Sequence, residues 1–388
     1  MISPVTSDHI LFKECIESFR PENRNFDSES KQVIGYLLLD FHLNKELTFE
    51  HFIIQPATEV RFENDMRYAS FIAPVILLKW KEISGREHLF LIVLSTVISF
   101  IFRRSITAPR DQIFSLSKEI DMKKFAMHHP ILKAGPGAHK IVIPEERLEE
   151  LYKELQEFIK LLCDVIPYKK YTEVMQSIRL VQLAFLNMRE DFSLSYYLLI
   201  SSIEPFASKA IKRKPVVSKH PLEEKWKKYA EENEDISQLF KEYSRLSGEN
   251  KQLRKRFVEF VLEYCPPNQW NQLEHPSERD LAAILENIRS NFNWIIEDHW
   301  DEFYPEGIPE KDIIEILSDA YKHRSQYTHE GKKPPHSSPS GNVLKYFEKQ
   351  MIVSEDPFKI IELTYPTFNL MSFIAKKSIQ NHLLKVYC

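Results

Sequence analysis

Glycine is scarce in this chain: there are eight in 388 residues, and none falls in a G-x-G-x-x-G or Walker-type pattern. Loops of those kinds need glycine at fixed positions to approach phosphate, so dinucleotide and NTP chemistry are disfavoured. Cysteine is scarcer still. Cys15, Cys163, Cys265 and Cys388 lie far apart with no C-x-x-C pair, which argues against a zinc site or a disulfide framework and for a reducing, cytoplasmic compartment. The longest apolar run, Leu89 to Phe102, is shorter than the roughly 20 residues a membrane-spanning helix needs, so a buried strand or core helix is expected. Met1 to Asp8 lack a basic stretch followed by an apolar core, so no secretory signal is expected. A large excess of one charge is also missing. With a net charge of -4, any contact with nucleic acid must rely on local basic patches.

The chain is 43% hydrophobic and 28% charged, a composition that suits a globular protein of two or more domains. Short apolar runs separated by turns occupy the first part: Val33 to Leu39, Phe49 to Ile54, Glu59 to Phe62, Phe71 to Trp80 and Leu89 to Phe102. They read as strands with some helix. Gly135-Pro136-Gly137 marks a break. Beyond it, Leu148, Leu151, Leu155, Phe158 and Leu162 recur three and four apart, one helical seam ending before Pro167. Further helices are expected at 173–189, 194–211, 223–246, 251–264, 278–296, 310–329 and 368–386. Ser277 with Asp280, and Asp356 before Pro357, read as helix starts. The expected class is α+β, with a mixed, β-containing domain over 1–143 and an all-helical domain over 144–388.

The most informative stretch runs from Ala320 to Gly331. Pro309 can open a helix, Ile313, Leu317 and Ala320 repeat at helical intervals, and Gly331 followed by Lys332-Lys333-Pro334-Pro335 stops it. One further step of four reaches Arg324. A lone guanidinium in line with an apolar stripe is costly unless something pairs with it. Arg324 and His329 form an R-x4-H pair, in which arginine can grip a phosphate and histidine can move a proton at neutral pH. Spacing alone is weak, since about two arginine-histidine pairs with four to six intervening residues are expected by chance. The other such pair, Arg213 and His220, encloses Pro215 and cannot lie on one regular helix.

Tyr321-Lys322-His323-Arg324-Ser325-Gln326-Tyr327-Thr328-His329-Glu330-Gly331 resembles the tyrosine, arginine-serine, histidine-glycine pattern of the Apea-like HEPN domains of bacterial proteins, within the HEPN superfamily. Tyr196 to Glu204 is similar to the hydrophobic helix ending in glutamate that opens such domains. The resemblance covers roughly residues 170–388. Two departures are Glu330 between His329 and Gly331, and Pro205 directly after Glu204, where a kink or a helix end is expected.

The resemblance implies a HEPN-like helical bundle that forms a homodimer, with a composite cleft for metal-independent RNA cleavage and no cofactor. It also implies a toxin-like growth arrest or antiviral defence through cleavage of tRNA or other cellular RNA. Arg324 is then assigned to the scissile phosphate and His329 to proton transfer, as the acid, with Ser325 orienting the imidazole or the phosphate. Glu204, Tyr321 and Tyr327 are secondary candidates, the tyrosines for base stacking. Lys322, Lys332, Lys333, Lys212, Arg213 and Lys214 are candidates for the RNA backbone, together with the nearby run Lys251, Arg254, Lys255 and Arg256. The N-terminal part is left to sense a trigger or bind a partner. From the residues alone, Arg324 pairing with a carboxylate such as Glu204, and His329 merely capping the helix, is the competing structural explanation. A catalytically inactive scaffold that binds RNA or protein is the alternative function. Asp121-Met122-Lys123 is similar to a metal-nuclease D-x-K but is discounted, because no strand or partner acid accompanies it; the His128-His129-His139 group reads as a surface loop and the acidic 297–302 stretch as a solvated helix end.

Overall fold

The computed structural model describes residues 8–20, 32–61, 69–77, 87–109, 114–115, 120–128, 143–188, 190–212, 222–274, 308–331, 346–353 and 360–388. It is mostly helical with a small antiparallel sheet near the N-terminus, an α+β fold.

That sheet is built on β1 (Val33–Leu39) and β5 (Ala69–Leu77), paired antiparallel from Val33 opposite Leu77 to Leu39 opposite Phe71. The short strands β2 (Leu47–Thr48), β3 (Phe52–Ile54), β4 (Thr58–Arg61), β6 (Ile106–Thr107) and β7 (Phe114–Ser115) extend it. Both central strands are rich in β-branched and aromatic side chains, which suits a pleated, buried surface. The Leu89 to Phe102 run lies in a helix, α2 (Glu87–Phe102), in which only His88 escapes full burial. A helix apolar all round has to sit inside the core. It packs against α1 (Asp8–Phe19), α4 (Glu145–Lys160) and α5 (Tyr168–Asn187).

One hydrophobic core runs from the sheet through α2 into the helices after residue 143. Its polar centre is Gln182 of α5, fully buried, whose carbonyl accepts from Thr96 Oγ1 at 2.6 Å and whose amide donates to Ser95 Oγ at 3.1 Å and the Ile106 carbonyl at 2.6 Å. Each hydrogen-bonding group of that amide is thereby satisfied inside an apolar core.

The helical seam is as expected: Leu148, Leu151, Leu155 and Phe158 are the buried face of α4, which passes through a π turn (Leu161–Val165) before Pro167. Elsewhere the boundaries differ. The helix expected over 223–246 breaks at Asn233, whose side chain accepts from the Asp235 and Ile236 amides and caps a new helix. The result is α7 (Glu223–Glu232) and a long α8 (Glu234–Tyr264) that continues through Gly248 into the segment expected to be separate. Pro205 does not end α6 (Phe192–Ala210). Packing of α6 against α5, α8 and the C-terminal helix α10 (Phe368–Tyr387) holds its course despite a missing amide donor worth about 3 kcal/mol in an isolated helix.

The stretch after residue 144 is not all-helical. β8 (Phe347–Val353) and β9 (Ile360–Pro366) form an antiparallel hairpin against α9 (Glu310–Glu330) and α10. Ile360, Ile361, Thr364 and Tyr365 are strand formers that sequence reasoning passed over. The helix expected over 278–296, with its Ser277 start, and the Asp356-Pro357 start lie outside the described residues. Among the described residues no helix is long and apolar enough to cross a membrane.

Candidate functional site

Helix α9 follows the sequence reading closely. Pro309 is its N-cap, and Gly331 closes it in the left-handed conformation at φ 66°, donating its amide to the Tyr327 carbonyl at 3.2 Å. Ile313, Ile316, Leu317, Ala320 and Tyr321 form its buried face. Arg324 continues that face and meets Glu204 of α6, 120 residues earlier in the chain. Its Nη2 donates to Glu204 Oε2 at 2.6 Å, while the Tyr321 hydroxyl donates to Oε1 at 2.5 Å. One carboxylate therefore receives a guanidinium and a phenol spaced three residues apart on the facing helix.

Aromatic rings enclose this group. The Arg324 guanidinium lies 5.4 Å from the Tyr197 ring and 5.8 Å from the Tyr321 ring. Tyr197 also packs on Tyr327 at 5.6 Å, and Tyr321 on Phe257 of α8 at 5.4 Å. The ion-pair side chains are 18% and 19% exposed, so they are shielded without being sealed. Burial, and then the bond to Glu204, raise the Tyr321 pKa above the usual phenol value, so this hydroxyl stays a donor. The Arg324 Nε has no hydrogen-bond partner among the described residues.

The expected residues separate into two groups. Glu204, Tyr321 and Arg324 come together. Tyr321 is a buried anchor, its ring on Phe257 and its hydroxyl on Glu204, which removes it as a base-stacking platform. Ser325 is half-buried, and His329 is exposed in the last turn. At 100° per residue, His329 lies about 140° around the helix from Arg324, whereas Ser325 is one turn below it on the same side. A single copy of α9 thus does not turn guanidinium and imidazole toward one point. Tyr327 is half-buried against Tyr197.

Among the basic candidates, Lys322 and Lys212 are exposed, while Lys332, Lys333, Arg213 and Lys214 lie outside the described residues. Arg256 is buried and donates to the Ser208 carbonyl at 2.8 Å, bracing α8 on α6 instead of meeting solvent. Asp121 accepts from the Lys123 and Lys124 amides at 3.1 Å as a helix cap for α3 (Met122–His128). His129, His139 and 297–302 fall outside the described residues.

Two contributors were missed. Tyr197 precedes Glu204 by seven residues, two helical turns, and this spacing on one face was the available signal. His323 packs edge-on against Tyr365 of β9 at 4.9 Å, a contact that nothing local foretells. No protein-family model, curated protein or solved structure significantly matches the chain.

Proposed function

We propose that this chain is a metal-independent endoribonuclease of the HEPN type, with a site completed by two copies of α9. The observation that carries the reading is the last turn and a half of that helix: Arg324 is held at one oxygen of Glu204, and His329 is solvent-exposed just before the left-handed Gly331. Glu204 and the flanking rings fix the guanidinium in place, and the 18% of the Arg324 side chain that stays exposed is where a phosphate oxygen would meet it. The exposed imidazole sits in the closing turn of the helix, open to solvent. Because one copy turns these groups about 140° apart, a second copy has to supply the complement.

In such a dimer, one His329 takes the proton of a ribose 2′-hydroxyl as its oxygen attacks the neighbouring phosphorus. The partner's His329 protonates the departing 5′-oxygen, and Arg324 stabilises the charge on the phosphorane. Lys322 and Lys212 add positive charge for the RNA backbone. Growth arrest or antiviral defence through cleavage of tRNA or other RNA is the role the HEPN resemblance suggests. The N-terminal part would then serve to sense a trigger.

A second reading, a non-cleaving scaffold that binds RNA or protein, is favoured by one observation: the guanidinium already has an internal carboxylate. Incubating the purified chain with total RNA in EDTA separates the two. Cutting that persists in EDTA and disappears in both Arg324→Ala and His329→Ala is expected. Retained cutting in both variants, or stable binding without cutting, overturns the nuclease reading.

A further inference from the structure

A second cluster of charge lies away from α9, where α2 ends. Arg103 follows the last residue of α2 with φ 51°, the only non-glycine residue with positive φ among those described. Helices commonly stop in this conformation, but glycine is the residue that adopts it without strain. An arginine kept there is worth a functional question. The turn is secured by Ser99, whose hydroxyl donates to the Arg104 carbonyl at 2.5 Å and whose carbonyl accepts the Arg104 amide at 3.3 Å. The backbone thereby sends two consecutive arginines inward: Arg103 is 5% exposed and Arg104 6%.

Both line a cavity of about 160 Å³ between the end of α2 and the start of α4, together with Arg147, Glu274, Ile143 and Leu151. Each guanidinium has protein contacts. Arg103 donates to the Asn369 carbonyl at 3.2 Å and lies over the Phe373 ring, while Arg147 bonds Glu150 at 2.7 Å and contacts Glu274. What distinguishes the place is that three arginines line one void. Burial lowers the Arg103 pKa to about 10, with Arg147 and Arg104 adding to the fall and Glu274 and Glu154 opposing it. Arg103 is therefore still charged at neutral pH and lies within the field of the other two.

We propose that this cavity binds an oxyanion of the phosphate class, either free phosphate or the terminal phosphate of a small metabolite. Guanidinium groups offer paired donors that match tetrahedral oxyanions, and in a largely buried site each such bond is stronger than in water. At about 30 Å³ per water, the space holds roughly five waters. It takes one phosphoryl group with its hydration, not a whole nucleotide. Glu274 is engaged by Arg147, which offsets its repulsion of the incoming anion. Asn369 donates to the Glu274 carbonyl at 3.1 Å, so the same residue that receives Arg103 also fastens the opposite wall. The site is separate from Arg324 and does not rest on the nuclease reading.

Calorimetric titration of the full chain with sodium phosphate, against sodium chloride at matched ionic strength, tests the proposal. Saturable binding to phosphate alone is expected. Arg147→Ala, a side chain already 33% exposed and so tolerant of replacement, is expected to weaken it about tenfold or more. Lys385→Ala, with a 62% exposed side chain on α10, is expected to change it less than about twofold. Circular dichroism of each variant secures the comparison, and Arg147→Lys, which keeps the charge but loses the fork, is expected to fall between wild type and alanine. Tighter binding of glycerol 3-phosphate than of inorganic phosphate identifies the ligand as a phosphomonoester, and the reverse order identifies it as the free ion. Absence of saturable phosphate binding below about 10 mM, or unchanged affinity in Arg147→Ala, overturns the proposal.

Discussion

Glu204→Ala, Arg324→Ala and the double variant together measure how firmly the candidate site is bound into the fold. In the wild type one carboxylate accepts at 2.5 Å from Tyr321 and at 2.6 Å from Arg324. Removing one partner of a buried pair costs about 3 to 5 kcal/mol, because a charge is left desolvated. Here about a fifth of each side chain reaches solvent, so the lower end applies, about 3 kcal/mol for Glu204→Ala. Arg324→Ala leaves Glu204 still bonded to Tyr321, and about 2 kcal/mol is expected. In the double variant no charge is stranded, so the total stays near about 3 kcal/mol, a coupling of about 2 kcal/mol between the pair. Urea unfolding at neutral pH with unchanged denaturant slope reads these values directly. Additivity within about 0.5 kcal/mol would refute the reasoning, because it would mean that Arg324 draws no stability from Glu204.

Tyr321→Phe keeps the contact with Phe257 but loses a bond to a charged acceptor, and should cost about 1.5 kcal/mol in the same assay. Its raised pKa means that above about pH 10 the native state keeps a proton the unfolded chain loses. Wild-type stability should then fall with rising pH in that range, and the fall should be shallower in Tyr321→Phe; an identical slope would count against the burial of this phenol. Gly331→Ala places a side chain at φ 66° with no neighbour for its Cβ within 4 Å. A loss of about 1 kcal/mol from backbone strain alone is expected, and no loss in thermal unfolding would rule out the left-handed cap. For the cysteines, native-state titration with a thiol reagent should show Cys388 reacting first. Cys265, buried and pushed up to about 12 by desolvation, should react only on unfolding; fast labelling of Cys265 would contradict its burial.

Legibility followed the range of the interactions. The limits of α9 were readable because Pro309 and Gly331 act on the residues beside them, and the α4 seam was readable because its period of three and four is carried within one helix. The run from Leu89 to Phe102 announced burial but not its conformation, since a uniformly apolar segment has no period to distinguish helix from strand. The β8–β9 hairpin was overlooked because its strands gain their stability by pairing and by packing on α9 and α10. The break at Asn233 was available in the sequence, as asparagine is a strong N-cap, but the helical pattern on either side concealed it.

In the candidate site, local sequence determined that an arginine would stand in line with an apolar stripe and a histidine in the closing turn of the same helix. Geometry of one helix suffices for that. Tertiary structure alone decided that Glu204 meets Arg324 across 120 residues, that Pro205 leaves its helix intact, and that Arg103, Arg104 and Arg147 share a cavity. Helical period acts over a few residues, whereas the pairing of charges depends on which faces the hydrophobic core brings together.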